Sequence, residues 1–529
     1  MEIDPVCAIG FGGIAYFGGV SLSDPGPGHN WLSRSVDGGV HWSAPSLLPT
    51  GDRDFIALDE MSKYRGRLYD TALYRRASAT SSRSYIGEIR SIDSGASYLS
   101  PVPIVQNPPI RTGARSSEYS QGPIVVLRDG TVVQVAYRWP DTGNFNPIVA
   151  FASTDGGSRW SQAHVVATRA GCPLLDFNGY KQVGISVIPV VAADDSAGPF
   201  KNRVYVAWQS CANDLSPDSQ AAIYVAHSDD DGKKWSEPVE ADDSPVGLAR
   251  KYPQVFAPAI AVNDNGIVAV TWYDSRDLPD GIGGQVRMAV SGDGGDVFSR
   301  SFLVAAAPSV LAPSADRVPL DTISASRILV LGVDTNFHVF GQDTVGLAAD
   351  ASGRFHPLWV DNRTGVAQLW TDTVEIAERA AIHGDPGLED LRDVSGSVAL
   401  NVRGATYDRG NETATADVAL VNISRRTILG PIRIRVTRLT SWLGKARLQR
   451  SDNGLVANGA ILTFVPAKGR SLSPGAATRG LHLVFHFDDL RPINPDDVVG
   501  EQIDYVSFKY VAYAPRARRQ RSFVRRARP

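Results

Sequence analysis

The chain is 529 residues long, with a formal net charge of −3, 50 glycines, 33 prolines and only three methionines. That length exceeds what one hydrophobic core usually serves, so two or three domains are expected, and short Val/Ile/Tyr/Trp-rich runs between the glycines and prolines favour strands and tight turns. No stretch approaches the roughly eighteen uninterrupted apolar residues of a membrane-spanning helix, and the acidic body of the chain excludes nucleic acid as a partner chosen by charge.

In chain order, the opening "MEIDPVCAIGFGG" has acids where the basic region of an export signal should stand, and it runs straight into strand-like sequence. The expectation is a secreted or cell-surface protein in mature or truncated form, with a cytosolic protein as the alternative. Strand runs near 5–21 lead to "SVDGGVHW" from Ser35, and runs near 54–74 lead to "SIDSGASY" from Ser91. Runs near 122–138, 186–208 and 257–273 lead in turn to "STDGGSRW" from Ser153, "SDDDGKKW" from Ser228 and "SGDGGDVF" from Ser291. A sixth pair of runs near 345–360 ends in "AQLWTDTVEI" and has no such pattern.

Each eight-residue box has Ser, then Asp two residues on, Gly four on and an aromatic seven on. The Asp can accept backbone N–H groups of its own turn, Gly can take positive φ, and the aromatic can return to pack on the sheet. Strand-like runs flank every box, so each predicts a hairpin between a third and a fourth strand. Ahead of each lies another pair joined by a turn, as in "FAPAIAVNDNGIVAVTWYDSRD". Four antiparallel strands per repeat, repeated six times, predict an all-β, six-bladed propeller over residues 1–376. The boxes then lie at one end of the blades, and the starts of first strands and exits of second strands lie at the other.

Residues 377–394 read as a linker that has room for one short helix, and strand runs resume over 395–514 as an immunoglobulin- or fibronectin-like β-sandwich acting as a spacer. The tail 515–529 carries seven arginines and no acid. It reads as a disordered basic extension, with contact to an anionic surface as the alternative, and it leaves about −10 for the remainder. Only Cys7, Cys172 and Cys211 occur, so one disulfide at most is possible.

At the end away from the boxes the sequence places Asp52 and Asp54, Arg75 and Arg76, Glu118 and Tyr119, and Arg138 with Asp141. Tyr180 and Lys181, Tyr252, Asp274 and Arg276, Asp343, and Asp361 with Arg363 follow. A strand-terminal Asp-x-Arg can also make a local ion pair, and Asp54 can equally cap a turn. Gly10, Gly12 and Ala15 fit a dinucleotide pattern, but strand rather than helix follows, and "DDDG" at 229–232 belongs to a box rather than a calcium loop. No HExxH, phosphate loop or GxSxG is present, so no metal and no cofactor is expected.

The five boxes resemble the Asp-box (bacterial neuraminidase) repeat of the sialidase superfamily, over roughly residues 4–376. That resemblance implies structural boxes and an exo-α-sialidase-like glycoside hydrolase that removes terminal acidic sugars, with a glycan or polysaccharide substrate and a monomeric chain. By the same likeness Asp54 would be the acid/base and Glu118 with Tyr119 would supply the nucleophile. Arg138, Arg276 and Arg363 would bind the sugar carboxylate beside Tyr252. Planar bidentate donors suit a carboxylate, and paired protic and carboxyl groups suit an oxocarbenium-like transition state. The family's Arg-Ile-Pro signature is replaced by "DPVCAIGFGG", and Thr344 stands where its blade-six tyrosine would be sought. A non-catalytic glycan- or protein-binding propeller, or another hydrolase or lyase on the same scaffold, is the alternative.

Overall fold

A computed structural model of the chain describes residues 2–21, 29–49, 51–77, 82–107, 119–138, 145–170, 175–177, 180–182, 188–211, 221–244, 255–278, 284–308, 345–361, 363, 368–376, 388, 391–408, 410–441, 445–457, 459–488 and 506–515. Two compact units are present, one within Met1–Pro245 and Ala249–Ala377, the other made chiefly of Glu378–Pro529. Among the described residues no helix is long and apolar enough to cross a membrane.

The first unit is a six-bladed β-propeller of antiparallel meanders. Blade one comprises Glu2–Ile9, Ala15–Ser21, His29–Ser35 and Ser46–Leu48, and blade two Gly51–Leu58, Leu68–Ala77, Ser82–Ser91 and Val102–Gln106. Blade three comprises Ile124–Val126, Val132–Arg138, Phe145–Ser153 and His164–Ala170, with Tyr119–Ser120 also pairing on its second strand. Blade four comprises Val190–Ala193, Val204–Cys211, Ala221–Ser228 and Val239–Glu240, and blade five Val255–Val262, Val268–Asp274, Gln285–Ser291 and Phe302–Leu303. Blade six comprises Gly346–Ala349, Phe355–Asp361 and Gln368–Thr371. First strands of successive blades pack on one another from blade one to blade six.

Second strands read as continuous apolar runs because a blade on either side covers both their faces. Val132–Tyr137 and Val268–Asp274 are buried at every position. In blade two the faces divide cleanly. Leu68, Ala72 and Tyr74 pack with Tyr16, Leu32 and Leu48 of blade one, whereas Leu73 packs with Ala136, Val149 and Phe151 of blade three. Each large apolar side chain so buried contributes about 1.5–3 kcal/mol.

All five boxes join third to fourth strands and share one hydrogen-bond set. The Ser hydroxyl donates to the Asp carboxylate at 2.5–3.0 Å. It also accepts the N–H of the Gly four residues on at 2.7–3.0 Å. The Asp accepts the N–H four residues beyond itself at 2.7–3.2 Å. These bonds hold Asp37 and Asp93 down at about 2, through His41 then Ser35 in the first and through Ser97 then Ser91 in the second. The terminal Gly of each box has φ between +78° and +88°, and the residue before it is also left-handed, even where it is Ser94 or Asp231.

Arginines connect the blades through these turns. Arg34 of blade one donates to the Ser94 carbonyl at 3.0 Å, Arg67 of blade two to that of Gly156 at 3.0 Å, and Arg203 of blade four to that of Gly294 at 2.7 Å.

The second unit is a sandwich of two four-stranded sheets. One runs Leu391–Asp393, Ser507–Pro515, Ile432–Thr440, Ile461–Phe464, and the other Val398–Asp408, Thr413–Asn422, Leu481–Asp488, Lys445–Leu448. Val418, Leu420 and Phe485 of the second sheet meet Ile432, Ile434 and Phe464 of the first in one core. Leu391–Asp393 falls inside the span read from sequence as linker. The basic tail beyond Pro515 lies outside the described residues.

Candidate active site

Within a four-stranded meander the turns after strands one and three share one end of the blade, so the boxes mark the end opposite the candidate residues. At that opposite end, the mouth, blade two departs from regular pairing. Asp52 pairs with Leu73 and Phe55 with Thr71, which leaves Arg53 and Asp54 together opposite Ala72. This β-bulge puts Arg53 at φ +53°, a left-handed conformation that costs a non-glycine residue about 1–2 kcal/mol. The Arg53 guanidinium lies 5.1 Å from the centroid of the Phe55 ring.

Asp54 is buried and fixed from the neighbouring blade. Asn30, on the third strand of blade one and itself fully buried, donates its amide to Asp54 Oδ1 and accepts the Gly51 N–H at 2.8 Å. Blade five contains the same bulge. Phe256 pairs with Tyr273 and Ala259 with Thr271, with Ala257 at φ +49° and Pro258 between them. Superposed by register, Arg53 corresponds to Ala257 and Asp54 to Pro258.

In blade three Tyr119 and Arg138 are direct cross-strand partners, with the guanidinium 5.7 Å from the ring centroid. The Tyr119 ring meets Phe151 edge-on at 5.7 Å. Buried Asn107 holds this short strand in place, accepting the Tyr119 N–H at 2.7 Å and donating to its carbonyl at 2.9 Å.

Arg276 and Arg363 sit in matching clasps. Trp272 Nε1 donates to Asp274 Oδ2 at 3.0 Å, and that oxygen also accepts Arg276 Nε at 2.9 Å and Nη2 at 2.6 Å. Arg276 Nη1 reaches Asp243 Oδ1 at 2.7 Å and Nη2 reaches Ser244 Oγ at 3.0 Å, so all three guanidinium nitrogens are bonded within the fold. Burial works against this charge, but the bonds to Asp274 and the charges of Asp274 and Asp243 carry the Arg276 pKa above its ordinary value. In blade six Trp359 Nε1 donates to Asp361 at 2.9 Å and Arg363 Nε reaches both Asp361 oxygens at 2.9 Å. Its guanidinium stacks 4.2 Å from the Trp370 ring centroid. Here too burial would raise the Asp361 pKa, and the Arg363 and Trp359 bonds outweigh it and leave it below the carboxylate range.

The structure thus joins Tyr119 to Arg138 and ties Arg276 and Arg363 to their own aspartates, while Asp54 stands in the blade-two bulge. Glu118 and Tyr252 lie outside the described residues, as do Asp141 and Asp343. Sequence reading missed Asn30, Arg53 and Asp70. Asp70 carried a usable signal, an acid at an inward-facing place in the strand "LYDTALY". The recurrence of Trp-x-Asp-x-Arg in "WYDSR" and "WVDNR" likewise marked a structural unit. Among the described residues no group of three or more His, Cys, Asp or Glu could hold a metal ion.

No family model and no curated protein matches the chain in sequence. Solved structures resemble it in fold at low identity. A Hadza microbial sialidase is 13% identical over 70% of this chain, with a TM-score of 0.40, and the match spans 65% of that sialidase's length. An α-L-arabinofuranosidase from Fusarium graminearum is 14% identical over 71% of this chain and 93% of its own, with a TM-score of 0.43. The intramolecular trans-sialidase from Ruminococcus gnavus is 9% identical over 71% of this chain and 94% of its own, with a TM-score of 0.40.

Proposed function

We propose that the propeller is a glycoside hydrolase of exo-α-sialidase type, working at the mouth on terminal acidic sugars of extracellular glycans, with Asp54 as acid/base. One observation carries this reading. Blades two and five build the same strained bulge, yet blade two fills it with Arg53–Asp54 where blade five has Ala257–Pro258. A strained backbone that holds a buried carboxyl next in sequence to an arginine suits a reacting centre better than a structural turn. Tyr119 and Arg138 of blade three supply a phenol and a cation, and Glu118, next to Tyr119 in sequence, is assigned to assist the phenol. With every Arg276 nitrogen engaged, we assign carboxylate binding to Arg138 with Arg53 and give Arg276 and Arg363 the task of shaping the wall.

Hydrolysis of fluorogenic sialosides and uronides tests the reading. Wild-type turnover that Asp54→Ala lowers by about 10²-fold or more is expected, the usual cost of losing a general acid. Wild-type rates no higher than those of Asp54→Ala would overturn it. The engagement of Arg276 and Arg363 favours a second reading, a propeller that binds glycans without cleaving them, and glycan-array binding without turnover would select that one.

A further inference from the structure

We propose that one end of the C-terminal sandwich is a docking surface for an anionic lipid bilayer, built from exposed cations, two exposed aliphatic side chains and the root of the basic tail. It stands apart from the reading of the propeller as a glycosidase.

Charge sets this unit off from the rest of the chain. Residues 418–487 hold eleven lysines and arginines against a single acid, Asp452. Five of those cations, Arg425, Arg426, Lys468, Arg470 and Arg479, lie in the connections 423–427, 465–470 and 473–480, which contain no acid and no aromatic residue. All five are exposed, and among the described residues none is ion-paired.

The fold brings the three connections to one end of the sandwich. The Asn422 amide donates to the Arg426 carbonyl and to that of Leu472, each at 2.8 Å, and so ties the first connection to the short strand Ser471–Leu472 between the other two. Gly430 N–H donates to the Arg470 carbonyl at 2.9 Å, and Arg479 N–H to that of Val465 at 2.8 Å. Strand Ser507–Pro515 finishes here as well. Tyr513 is the partner of Arg433, so Pro515, two residues on, reaches the level of Pro431 beside Gly430. Residues 516–529, which follow directly, carry seven arginines and no acid. Asp393 of the adjoining strand Leu391–Asp393 is engaged by Ser395, which donates its N–H at 2.7 Å and its hydroxyl at 2.6 Å.

The side chains select the occupant. Arginine forks match phosphate oxygens, and each cation near an anionic leaflet adds to the attraction. Ile423 and Val465, 61% and 45% exposed on the same connections, offer apolar tips that enter the headgroup boundary and that a soluble polyanion does not use. A single-stranded nucleic acid is met by aromatic rings on which its bases stack, and these connections have none.

The test is co-sedimentation of the full chain with vesicles of phosphatidylcholine alone and with vesicles of an equal mixture of phosphatidylcholine and phosphatidylglycerol. Heparin and duplex DNA serve as soluble polyanions at the same ionic strength. Binding to the mixed vesicles and not to phosphatidylcholine, weakened by salt, is expected. Equal binding to both vesicles, or binding to neither, would overturn the docking surface, and heparin or DNA bound as tightly as the mixed vesicles would overturn the lipid as its occupant. Arg425→Gln with Arg426→Gln should lower mixed-vesicle affinity by more than tenfold, at about fivefold per cation. Lys509→Gln, an exposed cation toward the far end of strand Ser507–Pro515, should lower it far less. Ile423→Ser with Val465→Ser should lower affinity and leave its salt dependence unchanged. An arginine pair no more costly than Lys509, or an aliphatic pair without effect, would contradict the proposal. None of these measurements depends on turnover, so a propeller that cleaves no glycoside leaves the docking surface standing.

Discussion

Blades two and five start with the same backbone, a first strand whose extra residue forces a left-handed conformation at Arg53 in one and Ala257 in the other. Their side chains then part company. Blade two surrounds its bulge with Asp54, Asn30, Asp70 and Tyr74, whereas blade five places Trp272, Asp274 and Arg276 in a closed clasp beside Ala257–Pro258. The bulge therefore belongs to the scaffold, and the two blades differ in the side chains they hang on it. The proposed function rests on that departure from repetition.

The comparison can be broken most forcefully at the blade-five clasp. Asp274→Ala leaves the buried Arg276 without its main partner and should cost about 3–5 kcal/mol of stability, read as the denaturation midpoint. Asp361→Ala should cost less, since Arg363 is more exposed and stacks on Trp370. Equal losses would deny that the deeper burial of Arg276 and the Trp370 ring under Arg363 set the two clasps apart.

The boxes allow a smaller test. Gly157→Ala meets a left-handed φ of +87°, with Arg90 Nη1 2.7 Å and a Glu88 oxygen 3.1 Å from the new methyl. Gly39→Ala meets the same φ with nothing nearer than Trp42 at 3.8 Å. Both should lose about 1–2 kcal/mol to the backbone, and Gly157→Ala should lose more on top. Matching unfolding curves for the two would show that the turn yields freely to its neighbours.

The smallest effect is a pH slope. Burial lifts Glu88 to about 8, only partly offset by Arg90 and then Arg67, so the folded state holds its proton more tightly than the unfolded chain does. Its contribution is fully present below about 4.5, the ordinary glutamate range, and is lost as pH rises through about 8. Asp37 and Asp93 act in the opposite sense, their contribution being lost as pH falls toward about 2. Glu88→Gln should flatten the loss of stability between about pH 4.5 and about pH 8 and leave the slope toward about pH 2 unchanged, as followed by urea denaturation.

The scaffold was legible in sequence because its signals are local and repeated. A Ser, an Asp and a Gly within five residues close their own hydrogen bonds, so every box declared its turn without reference to the rest of the chain. Asp54 was legible as an acid at a strand start, and Tyr119 and Arg138 as flanks of one hairpin. Arg276 and Arg363 show the limit of such reading. Whether a guanidinium faces a ligand or its own Asp depends on Trp272 and Asp243, whose positions only folding sets. Asn30 was opaque for the same reason, since it acts across a blade boundary, whereas Asp70 showed as an acid inside an apolar strand but not as one whose oxygens have no hydrogen-bond partner among the described residues.

The most direct measurement compares turnover of a fluorogenic sialoside or uronide by Asp54→Asn and Pro258→Ala, the two occupants of one scaffold position, with folding checked by circular dichroism. The account predicts that Asp54→Asn loses about 10²-fold or more while Pro258→Ala stays within about threefold of wild type. Similar rates in the two variants would contradict the assignment of function to blade two.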